Sequence, residues 1–302
     1  MLTRRILLGL AAAATFAAPA FAQSWKAKYP ELVFSIAPAE NATGVTERWS
    51  PFIAYLTKEL GTKVTLRIVN DYAAVIEGQR AGNIHIAQYG SSAYARAWAT
   101  GSKIEPFAIE VNRDGTTDYS SVFYVKKESP FQKIEDLKGK NLGLVDPNST
   151  SGNNVPRFAL NKLQIDPEKF FGKVVYAGSH ENAIIALSQG VVDVAATWWN
   201  DEKESNLYWM ASKKMINYDD YRMIFKSDAI VNAPFVYLAD LPDDLKAAIR
   251  AAFLSVVEKD KPLYEKLYNV NQPGWRPITH KAYEPIVELN AFVDALRRRA
   301  SP

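Results

Sequence analysis

No cysteine occurs among the 302 residues. That excludes disulfides, thiolate nucleophiles, zinc fingers and iron–sulfur clusters at once. Histidine is nearly as scarce. His85, His180 and His280 are the only ones, too dispersed to suggest a metal cluster. No GxGxxG or GxxxxGK-S/T run is present, so the fingerprints of dinucleotide and P-loop enzymes are missing. HExxH and GxSxG are missing too. The formal charge is only +3, and no basic surface points to nucleic acid. What the chain does have is 48% apolar residues, enough for packed cores. At roughly 150 residues per domain, its length suggests two domains.

The start of the chain reads as a targeting segment. Arg4 and Arg5 precede an alanine-rich apolar stretch over residues 6–18, and Ala20-Phe21-Ala22 has the A-x-A form of a leader-peptidase site. The expectation is a cleaved signal peptide at residues 1–22. Its two arginines leave with it and no acid does, so the formal charge falls from +3 to +1. The apolar run is short for a bilayer span, and no second run of about eighteen apolar residues follows. A soluble exported protein without disulfides fits a bacterial periplasm.

Short apolar runs then alternate with helical periods. Residues 32–37 read as a buried strand. Trp49, Phe52, Ile53, Leu56 and Leu60 mark one face of a helix, with Gly61 as its C-terminal cap. Strands at 64–68 and 84–87 alternate with helices at 72–81 and 91–100. This β-α-β-α order argues for a mostly parallel sheet covered by helices. The pattern restarts with strands at 119–125, 141–145, 174–176 and 192–196, interleaved with helices ending near 162 and 189. A polar helix is expected at 203–214, strands at 221–225 and 235–238, and helices at 242–257 and 283–298. No flexible linker separates two halves. The chain is therefore expected to cross from one lobe to the other near 118–121 and to return near 226–234. This places residues 23–118 and 232–302 in one discontinuous lobe and residues 119–231 in the other.

One run stands out for its chemistry. Asp146-Pro147-Asn148-Ser149-Thr150-Ser151-Gly152 follows a strand and opens a helix. Pro147 and Asn148 favour a turn. Ser149, Thr150 and Ser151 are capping residues beside the free amides and partial positive charge of a helix start. Together they can form a compact, uncharged cradle for a tetrahedral anion. The plainer reading is a helix cap with surplus serines. His180 opens the next helix and can donate to an anion, or simply cap. Trp198 and Trp199 close a strand and cannot face the same side; one packs in the core and the other can wall a pocket, with Asp201 or Glu202 beside it to meet a cation. Tyr72 and Tyr89 stand at strand or helix ends, where open α/β sheets bind ligands.

The 146–152 run resembles the signature of periplasmic phosphonate-binding proteins, the substrate-binding components of phosphate/phosphite/phosphonate ABC importers. Other pieces agree in order and spacing: Trp49-x-Pro51-Phe52, Asp71-Tyr72-Ala73, Tyr89-Gly90, Ala177-Gly178-Ser179-His180-Glu181, and Val192-Asp193-Val194-Ala195. The similarity runs from about Val33 to the final helix. It implies an α/β, two-lobed type II periplasmic binding protein, each lobe a mostly parallel sheet flanked by helices, with a two-strand hinge. It implies that Ser149, Thr150, Ser151 and His180 hold the phosphonate oxygens, and that Tyr72 and Tyr89 reach the ligand from the first lobe. Members that bind 2-aminoethylphosphonate meet its ammonium with two carboxylates. One falls near Asn200-Asp201, where Asp201 can supply it with Trp198 and Trp199 beside it. The other falls at Asn232-Ala233-Pro234, where Ala233 offers no acceptor.

The resemblance thus implies no enzyme and no cofactor. Its partners would be a small phosphonate, 2-aminoethylphosphonate or an alkylphosphonate, and an inner-membrane permease with its ATPase, with the protein acting as a monomer. Three other readings stand beside it. The same fold can bind another small anion such as phosphite, phosphate or a sulfonate, or present its ligand to a membrane sensor. An exported phosphonate or phosphate ester hydrolase would use Ser149 or Ser151 with His180 as base, but no third triad member is recognisable.

Overall fold

A computed structural model describes residues 24–268 and 272–300. The leader expected at residues 1–22 lies outside the described residues. No helix among them is long and apolar enough to cross a membrane.

The helix expected from Trp49, Phe52, Ile53, Leu56 and Leu60 runs over Ala42–Leu60, and all five side chains are buried. Asn41 caps its start, its side chain accepting from the Gly44 N–H at 3.0 Å. Gly61 ends it at φ +60°, where a residue without Cβ bears no strain.

The strands follow the two-sheet plan. β1 (Glu31–Ile36), β2 (Lys63–Arg67), β3 (Ile86–Gln88) and β4 (Ile104–Val111) come first. The chain then crosses to a second sheet with β5 (Asp118–Lys126), β6 (Asn141–Leu144), β7 (Lys173–Tyr176), β8 (Val194–Asp201), β9 (Glu204–Ser205), β10 (Tyr221–Lys226) and β11 (Ile230–Val231). β12 (Pro234–Leu238) and β13 (Gly274–Pro277) return to the first sheet. The first sheet has the order β13-β4-β12-β3-β1-β2 and the second has β10-β5-β8-β6-β7, with β9 and β11 at its margins.

Both sheets are mixed, less parallel than the βα alternation suggests. Pairing is parallel where a helix connects neighbours, in β1–β2, β1–β3, β6–β7 and β6–β8. It is antiparallel where a strand enters straight from a crossing: β5 against β8, and β12 against β3 and β4. Such a strand has no right-handed helical crossover to set its direction. The helix expected at 203–214 also differs. Glu204 and Ser205 fold back onto β8 as β9 before a shorter helix, Asn206–Ser212. Ser205 stops the extended run by capping that helix, accepting from the Tyr208 N–H at 3.2 Å.

An aromatic cluster fills the first lobe. The Phe253 ring lies 5.0 Å from those of Phe52, Phe235 and Trp275. Phe123, Leu142, Leu144, Leu160 and Val194 form a separate core under the second sheet. The C-terminal helix, Glu284–Ala300, reaches both lobes. Arg96 pairs with Asp294 through two bonds of 2.5 and 2.8 Å, and the Phe292 ring meets Phe158 of the second lobe at 5.5 Å.

Candidate functional site

A cavity of about 170 Å³ opens between the two sheets. The 146–152 run supplies its hydroxyl side. After β6 the chain turns at Asp146, whose carboxylate accepts the Asn148 N–H at 2.7 Å. Ser149 caps the following turn, accepting from the Gly152 N–H at 3.1 Å. That turn, Thr150–Asn154, is a π-helix that passes directly into the α-helix Val155–Lys162. Wider i→i+5 turns of this kind re-aim side chains and recur at functional sites. Gly152 is there for space. A Cβ on it would lie 2.3 Å from Val145 Cγ2 and 2.8 Å from Ser149 Oγ. Val145 is fully buried and cannot withdraw. Gly152→Ala is therefore expected to cost about 1–3 kcal/mol by overpacking, read as a lower urea midpoint than wild type. An unchanged midpoint would mean the turn relaxes freely.

The run also docks against the opposite lobe. The Thr150 hydroxyl accepts the Ser92 N–H at 2.8 Å, at the start of the helix Ser91–Ala99. The Asp146 carboxylate takes the Tyr72 N–H at the start of the helix Tyr72–Arg80. Acceptors from one lobe thus sit on the positive ends of two helices in the other. The Tyr72 hydroxyl reaches Ser149, and burial pushes its pKa up. Tyr119, at the first crossing, reaches both Thr150 and Ser151 with its hydroxyl.

His180 lies in the same cavity wall. Its Nδ1 is 3.0 Å from the Thr197 hydroxyl. Burial alone depresses its pKa to about 3, so the imidazole is neutral at ordinary pH. His180 and Glu181 begin the helix His180–Ser188, and the His180 N–H donates to the Ala39 carbonyl of the first lobe at 3.2 Å.

The structure gathers Tyr72, Tyr89, Ser151, His180 and Trp198 around the cavity, with Ser149 and Thr150 just behind. Tyr89 offers its ring rather than its hydroxyl, which donates to the Val75 carbonyl at 3.3 Å. Trp199 and Asp201 are not brought in. They line a neighbouring cavity at the crossing, where Asp201 pairs with Arg113 at 2.5 Å and the Lys226 ammonium sits 3.8 Å over the Trp199 ring. Strand alternation explains the split. Trp198 and Trp199 point to opposite faces of β8, and Asp201 falls on the Trp199 face.

Several lining residues have no counterpart in the sequence expectations. Tyr119 is one. Glu110, Glu204, Trp209 and Tyr268 are others. A charged network closes one rim. Lys213 of the second lobe binds Glu181 at 3.0 Å and also Glu40 of the first lobe. Asn41 donates to Glu181 through its N–H and its side chain, both at 2.8 Å. Arg48 reaches Glu40 at 2.7 Å and lies 4.7 Å over the Trp209 ring. Burial opposes the Glu40 carboxylate, but Arg48 and Lys213 outweigh it and hold its pKa below the usual range.

A family model described as "ABC transporter, phosphonate, periplasmic substrate-binding protein" matches residues 34–283. The phosphonates-binding periplasmic protein of Escherichia coli is 32% identical over 255 residues, covering 82% of this chain and 71% of that protein. The phosphate-import protein PhnD of Mycolicibacterium smegmatis is 28% identical, covering 80% and 74%. Among solved structures, a binding-protein component of an ABC phosphonate transporter from Pseudomonas aeruginosa superposes with a TM-score of 0.79 at 27% identity, covering 89% of this chain and 88% of that one. PhnD1 of Prochlorococcus marinus, in complex with methylphosphonate, has the same fold, with a TM-score of 0.75 at 21% identity, covering 88% and 98%.

Proposed function

The chain belongs to the family of periplasmic substrate-binding proteins of phosphonate ABC transporters, and on that premise we propose that it captures a small phosphonate between its lobes and hands it to an import permease with its ATPase. The family is one of binding components rather than enzymes. The observation that carries the reading is the convergence of Ser151, Tyr72, Tyr119 and a neutral His180 on one interlobe cavity beside a helix start.

In this reading the phosphonate oxygens take hydrogen bonds from the hydroxyls of Ser149, Thr150, Ser151 and Tyr72. His180 contributes Nε2–H when Thr197 donates to its Nδ1. Tyr119 joins them. Tyr89 acts as a wall, and Trp198 flanks the substituent. An anion held by neutral donors is recognised by geometry and released when the lobes part. The lobes are residues 23–118 with 232–302, and residues 119–231; the crossings near 118–121 and 226–234 are the hinge. The protein works as a monomer in the periplasm after loss of residues 1–22.

Titration of the purified protein with methylphosphonate, 2-aminoethylphosphonate, phosphite and phosphate tests this. Saturable binding of a phosphonate, tighter than phosphate, is expected. Thr150→Val removes one hydroxyl at constant shape and should weaken every phosphonate by about tenfold, the share of one bond to a charged oxygen. Unchanged affinities would remove Thr150 from the head-group site, and no binding of any phosphonate would end the reading.

A further inference from the structure

Away from the ligand cradle, three asparagine side chains fasten the two crossings to each other and to the cavity wall. Asn112 directly follows β4 and opens the turn that leads into the first crossing, its N–H donating to the Thr116 carbonyl at 2.9 Å. Asn232 lies in the second crossing, and Asn200 on β8 of the second lobe. Asn112 and Asn232 are buried. The Asn112 Nδ2 donates to the Thr116 hydroxyl at 2.9 Å and to the Asp118 carbonyl at 2.5 Å, so it holds the first crossing. Its Oδ1 accepts from Asn232 Nδ2 at 2.9 Å and from Asn200 Nδ2 at 3.3 Å. Both donors and both lone pairs of this one carboxamide are therefore in use.

The second crossing is tied further. The Asn232 N–H donates to the Thr117 carbonyl at 2.9 Å, and its Nδ2 also reaches the Glu110 carbonyl at 3.2 Å. The Ser91 hydroxyl donates to the Val231 carbonyl at 2.6 Å. Ser91 begins the helix whose Ser92 N–H is taken by Thr150 of the hydroxyl run. Asn200 itself lines the ligand cavity. The lobes are closed in this arrangement, with Thr150 on Ser92 and Lys213 on Glu40. A two-strand hinge closes cleanly only if both strands change their dihedrals together. Asn112 is the residue whose side chain touches both of them and the cleft wall that must move with them.

We propose that Asn112 is a positioning residue for ligand capture: its carboxamide makes the two crossings bend as one and locks the second-lobe wall, through Asn200, when the lobes close. It touches no ligand. Its bonds to Asn200 and Asn232 hold the closed form, so they slow release rather than speed encounter. The kinetic part of this proposal rests on the phosphonate reading above; the mechanical part does not.

Asn112→Ala tests both parts, with Thr116→Val as its control. Thr116→Val removes one partner of the Asn112 Nδ2 and loosens the turn, but leaves the bonds to Asn232 and Asn200. The chain has no cysteine of its own, so spin labels can be placed on exposed Glu47→Cys of one lobe and Glu202→Cys of the other. Without ligand, Asn112→Ala should show a longer and broader distance between the labels than either wild type or Thr116→Val. In stopped flow with methylphosphonate, Asn112→Ala should release ligand about tenfold faster, the share of about one hydrogen bond lost from the closed form. Association should change by less than about twofold, because encounter uses the open form. Unaltered label distances, or a Thr116→Val variant that matches Asn112→Ala, would overturn the proposal and leave Asn112 as a turn-stabilising residue only. Failure of wild type to bind any phosphonate would remove the head-group reading, and the label distances would still decide the hinge. If Asn112→Ala does not fold, Asn232→Ala cuts the same tie from the other crossing and is held to the same readouts.

Discussion

Between pH 7 and pH 4, wild type should lose about 3 kcal/mol of folding stability that a His180→Gln variant keeps. The unfolded imidazole takes up a proton below about pH 6.5, whereas the buried one waits until about pH 3. In that window the unfolded chain binds more protons, so stability falls as pH falls, by about 1.36 kcal/mol per pH unit below 6.5. His180 is 5% exposed with only Thr197 on its Nδ1, so nothing nearby rewards the charged form. Glu110 acts in the opposite sense, because a raised carboxylate pKa favours the folded state as pH falls. Urea unfolding of both proteins at pH 7 and pH 4 cancels that contribution, since the variant retains Glu110. Parallel losses in the two proteins would show that His180 takes up its proton in the folded state as readily as in the unfolded one, so that it is charged at pH 4.

Replacing Lys213 by methionine should open the unliganded protein. Lys213 ties Glu40, 6% exposed, and Glu181, 3% exposed, across the rim. Removing one partner of a fully buried ion pair costs about 3–5 kcal/mol. The Lys213 side chain is 33% exposed, so about 2 kcal/mol is the fitting scale. That cost falls on the closed form, because parting the lobes returns both carboxylates to water. Small-angle scattering of Lys213→Met without ligand should give a larger radius of gyration than wild type, and phosphonate affinity should fall by about tenfold or more. An unchanged radius together with unchanged affinity would mean that the network contributes no closure energy.

The sequence carried the fold well where periodicity is strong. The Ala42–Leu60 helix and its Gly61 cap follow from five apolar positions and one glycine. β4 escaped notice because Pro106 and Glu110 break its apolar run, although Pro106 is accommodated opposite Val236 beside a register shift. The hydroxyl side of the cavity was readable because consecutive capping residues, Ser149 to Ser151, form a local pattern. The charged side was not. Glu110, Glu204, Glu40 and Lys213 are far apart in sequence, and each alone looks like a solvated surface residue. Alternation along β8 does hold information that would have moved attention from Asp201 to Asn200, because Asn200 shares a face with Trp198. Tyr119 stands at a crossing between lobes, where any side chain borders the cleft, and that position is its only signal.

The first sheet places β12 between β3 and β4. Residues emerging early therefore have no neighbour to join β3 to β4 until residue 234 has been made. The aromatic cluster around Phe253 waits even longer, for Trp275. The second sheet needs only residues from β5 to β11. During synthesis from the N-terminus, the lobe in the middle of the chain can complete its ladder first, and the lobe that begins the chain finishes last. The half-made first lobe exposes unpaired strand edges in the meantime, the state most open to wrong pairing.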